Sequence, residues 1–584
     1  MKKSLRSFGI IAMAAVLALA ACGGGSGSSG GSSGGGGGVK VVLPNDGDGL
    51  SAATAYKISN AGQLKAIAKE VNNGNPDYTS AYYELTNDID LSPFSKGTGW
   101  EPIGNDTSPF SGTFDGCGFV ISNLAVNDDT LEYVGLFGLI YDATVANLGL
   151  EIASITGKDI VGGVAGAAAD STVSNCHTTG NIKGNDYVGG VVGVAELGIV
   201  SNCYATGNVE GNNQVGGVAG ALAGTIVTDT YATGNVKGNK YVGGAAGQVV
   251  LGGEVKNCHT TGDVEGHGYV GGAAGEFDGS FLTDTYATGN VTGTDNNVGG
   301  VVGMVRASSE VKNCYATGNV TGTDYNVGGV VGQVRESSEV KNCHATGDVE
   351  GNYQVGGVAG VVSNSSMSKC YATGKVKGSR IDVGGVVGRL LASVFENCYA
   401  TGNVEGNSWV GGVVGYSNCG ISNCYATGDV TGDSNYVGGI AGEVTSFGKV
   451  SNCAALNNAI VVHNPGSYTN FTRVKGGYGA MENNVANSAM TVVNAAWTAA
   501  NVTGADATAT GKHGFGIAAG QISNQLTYSD LVDPGGFDGA PGKGLGWNFG
   551  PADPIWKWGE LVDPLYKLPV FYGQTEAPAF PPHL

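Results

Sequence analysis

Apolar and polar positions alternate along this chain in very short runs. In Cys203-Tyr204-Ala205-Thr206, small apolar residues take every second place and larger polar ones stand between them. That is the period of a strand with one buried face. No stretch of the central region carries the 3.6-residue spacing of a helix. Glycine pairs and Gly-Asn pairs separate the runs. Turns of this kind, as at Gly207-Asn208, suit residues that tolerate positive φ.

The pattern repeats. A Gly-Gly doublet returns from Gly162-Gly163 to Gly438-Gly439 at steps of 27 to 29 residues, and Asn202-Cys203-Tyr204-Ala205-Thr206-Gly207-Asn208-Val209 returns in phase as Asn313-Cys314-Tyr315-Ala316-Thr317-Gly318-Asn319-Val320. The unit is about 28 residues, present about eleven times. One unit is too small to bury a core, but stacked copies can pair strand on strand. The fold expected is all-β, a parallel β-helix (β-solenoid) of about eleven coils, roughly 50 Å long at about 4.8 Å per coil. A propeller, with longer and usually fewer blades, fits less well.

In-register stacking turns repeat positions into ladders. Cys176, Cys203, Cys258, Cys314, Cys343, Cys370, Cys398, Cys424 and Cys453 share one position, with Thr230 and Thr285 in two coils. The next position holds Tyr204, Tyr231, Tyr286, Tyr315, Tyr371, Tyr399 and Tyr425, alternating with His177, His259 and His344. Cysteine packs as a small hydrophobe, which sets Cys and Ala inside and Tyr/His and Thr outside. Neighbouring thiols on parallel rungs point the same way, so disulfides between them would distort the strands. Cys419 and Cys424 are the one pair spaced for a local bridge.

Both ends of the stack need covering, because end strands offer unpaired edges. Asn60-Ala61-Gly62-Gln63, followed by Leu64, Ile67, Ala68 and Val71 and closed by Asn72-Asn73-Gly74, predicts one amphipathic helix in an N-terminal cap. Tyr82 to Ile89 and Ile103 to Leu124 read as strands leading into the stack. After about residue 457 the period is lost, and Trp547, Trp556, Trp558 and Pro569-Val570-Phe571-Tyr572 predict an irregular C-terminal cap with an aromatic core. The chain divides into a signal (1–21), a tether (22–38), the N-terminal cap (39–132), the repeats (133–457) and the C-terminal cap (458–584).

The N-terminus changes the picture. Lys2, Lys3 and Arg6 precede an apolar run from Gly9 to Leu19 and then Leu19-Ala20-Ala21-Cys22. A basic start, a short apolar run and small residues mark an export signal; the run is too short to span a bilayer. Leu-Ala-Ala-Cys resembles the lipobox of bacterial lipoproteins, which implies cleavage before Cys22 and lipid on its thiol. An ordinary secretory signal is the alternative. Gly23 after the Cys favours the outer membrane where there is one. Residues 23–38 are only Gly and Ser, a flexible tether with a reach of roughly 20–25 Å.

Composition narrows the chemistry. Gly is 105 of 584 residues and the formal charge is −20, about −23 once the three basic signal residues are gone. With no basic run after the signal, nucleic acid is excluded as a partner. Asp263, Asp348 and Asp429 share a repeat position with Asn208, Asn235, Asn290, Asn319 and Asn403; such interchange points to a turn preference rather than a proton donor. Arg306, Arg335-Glu336 and Arg380-Ile381-Asp382 depart most from the pattern and read as solvated charge. No calcium-loop series and no metal-ligand spacing occurs, so no catalytic residue, metal or cofactor is expected.

The Val-Gly-Gly-Val-Val-Gly and Asn-Cys-Tyr-Ala-Thr-Gly-Asn-Val blocks resemble the GLUG motif of bacterial surface proteins. Tyr83–Leu91, Trp100–Gly104 and Phe110–Gly116 are similar to segments that precede such repeats, and Trp547-Asn548-Phe549 and Leu565–Val570 to the segment that closes them. The resemblance implies a surface location, a β-helical fold and adhesin-like roles. Similar repeats accompany IgA-protease-type metallopeptidases, but no His here is followed by Glu, so the H-E-x-x-H zinc motif is lacking. The expectation is a surface lipoprotein held in the membrane by Cys22, with the outward tyrosines as a binding face for a glycan or a host or matrix protein, or simply as a ladder that steadies the coils. A carbohydrate-active β-helix enzyme, lyase or hydrolase, is the alternative, and a localised acidic cleft would favour it.

Overall fold

The computed structural model describes residues 41–464, 471–482, 484–487, 490–494, 515–517, 556–558 and 569–571. Cys22, the tether, Trp547 and Tyr572 lie outside them.

The repeats form a parallel β-solenoid. One coil shows the plan. Asp186–Gly189 belongs to sheet I, Val192–Glu196 to sheet II, Ile199–Ser201 to sheet III, and Tyr204–Ala205 with Val209–Glu210 to sheet IV. Each strand pairs in parallel with its copy in the next coil, as Val188 with Val215, Val192 with Ala219 and Tyr204 with Tyr231. Sheet III has sixteen strands and sheet II thirteen, so the stack is longer than the eleven coils counted from Gly-Gly doublets. The additional coils carry the fold without the doublet. Tyr56–Ile58, Tyr82–Leu85 and Thr113–Asp115 already form sheet III before the first repeat.

The glycines are explained by close approach. A Cβ on Gly189 would lie 2.0 Å from the carbonyl oxygen of Val192, inside the corner between sheets I and II. A Cβ on Gly190 would lie 2.1 Å from the carbonyl oxygen of Gly217 in the next coil and 2.5 Å from the Ala205 Cβ. The first glycine of the doublet therefore closes the corner, and the second lets adjacent coils touch. Positive φ falls elsewhere. It sits on the residue before each ladder cysteine, asparagine everywhere but at Lys369, with Asn202 at 52° and Asn313 at 55°, and on the residue before each Val-Gly-Gly, rather than on Gly207-Asn208. Asparagine visits this left-handed region more readily than most residues. Its amide also bridges coils, as Asn175 Nδ2 donates to Asn147 Oδ1 at 3.0 Å and Asn342 Nδ2 to Asn313 Oδ1 at 3.1 Å.

Helix α1 spans Ala61–Asn72. Asn60 Oδ1 accepts from Gln63 N at 3.1 Å and Gln63 Oε1 accepts from Ser59 N at 2.8 Å, so the cap is reciprocal. Leu64, Ile67, Ala68 and Val71 are buried in a core continuous with the stack. Beneath the helix, Tyr83, Phe110, Phe114 and Phe137 pack ring against ring at 5.2–6.5 Å. At the other end, Trp556–Trp558 and Pro569–Phe571 form an antiparallel pair.

Candidate functional site

The nine ladder cysteines face inward and are fully buried, from Cys176 to Cys453. Each thiol donates to the carbonyl two residues earlier, at 3.0–3.2 Å. It also accepts, as Cys176 N points at Cys203 Sγ at 3.5 Å. Thr230 and Thr285 use their hydroxyls in the same way, donating to Thr228 and Thr283 at 2.8 and 2.9 Å, while Cys258 N donates to Thr285 Oγ1 at 3.3 Å. This shared geometry explains the Cys/Thr interchange. Cys203→Thr is therefore expected to stay within about 0.5 kcal/mol of the parent. Cys203→Val is expected to cost about 1–2 kcal/mol, because it orphans the Cys176 amide, while the Ser201 carbonyl keeps the Asn175 amide at 3.0 Å. Denaturant unfolding and exchange of the Cys176 amide check this; equal stability of the two variants would refute the polar role.

A second ladder, which no sequence motif marks, lines one corner of the coils. Ser171, Thr225, Ser280, Ser309, Ser338, Ser365 and Ser393 recur at the corner between sheets II and III. Ser309 N donates to Ser338 Oγ, Ser338 N to Ser365 Oγ and Ser365 N to Ser393 Oγ, each at 3.2 Å. Cys419 occupies this row, accepting from Ser393 N at 3.4 Å. Cys419 and Cys424 are both free thiols, each held in its own ladder.

The aromatic row lies on sheet IV beside the cysteines. From His177 to Tyr425, ten rings stack without a break, centroids 4.6–5.2 Å apart and planes within 2–12°. Tyr204, Tyr231, Tyr286, Tyr315 and Tyr371 are half-buried; Tyr399 and Tyr425 are fully buried. Burial pushes the imidazoles of His177, His259 and His344 below their usual pKa, favouring the neutral form. The stacking has a chemical consequence. Both faces of an inner ring are covered by its neighbours, so the ladder cannot offer ring faces to a sugar. It presents ring edges and hydroxyls, and only along the coils before Tyr399.

Outward of these rings, the Asn/Asp row has a backbone task. Asn208 Oδ1 accepts from Asn235 N, Asp263 Oδ1 from Asn290 N and Asp348 Oδ1 from Lys375 N, at 2.8–2.9 Å. Either side chain supplies the acceptor oxygen, so Asp and Asn interchange. Farther along the same face, Lys183–Glu210, Lys237–Glu265 and Lys377–Glu350 pair between coils at 2.9–3.1 Å. Such exposed pairs contribute little.

Two of the aberrant coils differ from the expectation of solvated charge. Glu276 is 2% exposed, with Arg306 Nε at 2.8 Å and Gln248 Nε2 at 2.6 Å. Asp382 is wholly buried, 2.7 Å from Arg389 Nε, and burial pushes its carboxyl up to about 6. The reason is the corner between sheets I and II. The left-handed residue before each Val-Gly-Gly, Asp382 at φ 64° among them, lies close to the outer side of sheet II rather than standing out in solvent. Among the described residues, no cluster of three or more His, Cys, Asp or Glu is arranged to hold a metal.

Comparison with known proteins follows the repeats. The chain is 35% identical over 161 residues to "Halomucin" of Haloquadratum walsbyi, which is 25% of this chain and 2% of that protein. It is 34% identical over 98 residues to a "Putative Gly-rich membrane protein" of Evansella cellulosilytica, covering 16% of this chain and 11% of the other. The chain thus spans a small part of either relative. A crystal structure of a "putative immunoglobulin A1 protease" from Bacteroides ovatus aligns over 57% of this chain and 80% of that one, at 23% identity and a TM-score of 0.27. Residues 184–210, 294–321, 323–350, 351–377, 379–405 and 406–431 each match the family description "The GLUG motif". The coils of this solenoid carry six GLUG motifs.

Proposed function

We propose that this chain is a surface-displayed lipoprotein, held in the membrane through Cys22, whose solenoid is a non-catalytic adhesin-like rod. The observation that carries the reading is the occupation of the repeat's polar groups by the stack itself. Thiols and corner hydroxyls bond backbone across coils, the Asn/Asp oxygens cap amides of the next coil, and the aromatic rings cover one another. Groups committed in this way supply rigidity and a regular outer face rather than proton transfer. The names of the relatives, a halomucin and a membrane protein, agree with a place at the cell surface.

Two measurements test it. On intact cells the chain should be labelled by antibody and shaved by added protease, and it should carry lipid that Cys22→Ser abolishes; retention in the cytoplasm would sink the proposal. The full chain with Cys22→Ser, offered to an array of matrix proteins, should bind at least one. Substituting Phe at Tyr204, Tyr231, Tyr286 and Tyr315 tests the hydroxyl edge while keeping the stack. Unchanged binding by that variant would move the contact off the ladder.

The enzyme reading rests on Asp382 and Glu443, both with raised carboxyl pKa through burial. Against it, both Asp382 oxygens are enclosed, out of reach of a substrate.

A further inference from the structure

The coils from Asp382 to Glu443 hold a group of side chains that the stack does not require. Arg389, Tyr416 and Glu443 stand on successive rungs of sheet II, about 4.8 Å apart. At the same row the early coils have Ala167, Val194 and Ala221, so small residues suffice for the fold. Arg389 is fixed from two sides. Its Nε lies 2.7 Å from buried Asp382, and its guanidinium sits 5.1 Å from the Tyr416 ring centroid. An ion pair with one fully enclosed partner costs desolvation that apolar packing would avoid. Neither Asp382 oxygen has a well-directed hydrogen bond. What Asp382 does accomplish is to hold Arg389 in place at the surface, where its side chain is 27% exposed.

Beside Tyr416 is a half-buried ring that no second ring covers. Trp409 meets Tyr416 at 5.6 Å and a tilt of 50°, and no other ring among the described residues stacks on it. This is the opposite of the sheet IV ladder, where inner rings are covered on both faces. The other buried pair, Glu276 with Arg306, differs too: Tyr241 and Tyr269 nearby stack on each other at 4.9 Å under Lys240.

We infer that Trp409, Tyr416, Arg389 and Glu443 form a binding site for a neutral oligosaccharide. The apolar face of a pyranose would lie on Trp409, with Arg389 donating to its hydroxyls and Glu443 accepting from them. Arg389 and Glu443, two rungs apart, are separated by about the length of two linked sugars. Neutral sugar is favoured over polyanion because Asp382 already balances Arg389, Glu443 adds negative charge, and the chain as a whole carries −20. The site does not depend on where the chain is displayed, so it can fail or stand apart from the surface assignment.

Calorimetry on the full chain with Cys22→Ser decides it, using neutral hexasaccharides of glucan, mannan and galactan beside a polygalacturonate hexamer. At least one neutral hexamer should bind. Trp409→Ala and Arg389→Gln should each weaken it about tenfold or more, and Trp409→Tyr should restore most of the loss. Phe281→Ala, an exposed ring on sheet III of an earlier coil, should change nothing. If Trp409→Ala folds poorly, Glu443→Gln carries the same test, with the same weakening expected. Failure of every neutral hexamer to bind, preference for polygalacturonate, or binding indifferent to these substitutions would overturn the inference.

Discussion

Gly190→Ala should destabilise its coil by about 3 kcal/mol or more, although Ala is the smallest change available and the site is apolar. The new methyl carbon would lie 2.1 Å from the Gly217 carbonyl oxygen and 2.5 Å from the Ala205 Cβ. The first of these is backbone of the next coil, and the second is a side chain with no rotamer to change. Relief requires the two coils to separate, which lengthens the hydrogen bonds that join them. Coils contact only their neighbours, so the damage should stay local. Hydrogen exchange should therefore show faster exchange at Val191, Val218 and nearby amides, with the cap around α1 unaffected. Gly420→Ala is the control. Nothing lies within 4 Å of its would-be Cβ and its φ is ordinary, so it should be neutral or slightly stabilising. Equal behaviour of the two variants would show that the doublet is there for turn geometry and not for contact between coils.

The same contrast shows what could be read from the sequence. A period of 27–29 residues with one alternating run per unit leaves few options besides stacked strands, and cysteine beside tyrosine separates the inner row from the outer. The glycine doublet marks fewer coils than the stack contains, because the first coils replace it. The Ser171-to-Ser393 row is not legible in the sequence because several coils carry Gly there, as at Gly198 and Gly448, and a serine in a turn looks ordinary until its amide partner is seen. The ladder's loss of ring faces follows from the parallel side-chain orientation of in-register rungs, a distance argument that residue identities alone do not make. Burial of Asp382 depended on a corner whose left-handed residue lies close to sheet II. The repeat period gives the row to which a residue belongs, but not the tilt of that row at a corner.

That same corner makes Arg306→Ala the second large effect. Glu276 is 2% exposed and faces Arg306 Nε at 2.8 Å, while Arg306 also reaches Asp278 at 2.7 Å. Removing the guanidinium leaves a buried carboxylate with only Gln248 to satisfy it, and an uncompensated buried charge costs about 3–5 kcal/mol. The neighbouring rung points to the remedy. Met304 is the in-register partner of Glu276 and is itself buried, so methionine fits this row. Glu276→Met together with Arg306→Ala should return stability to near the parent, since replacing a buried pair by apolar side chains is often neutral or better. Denaturant unfolding of the two single variants and the double variant gives the coupling directly. Additive losses would mean that the pair is solvated and that Arg306 acts only through Asp278. A rescued double variant would mean that the charges in this coil are a replaceable packing solution, unlike those at Arg389, where the same exchange should abolish sugar binding while sparing the fold.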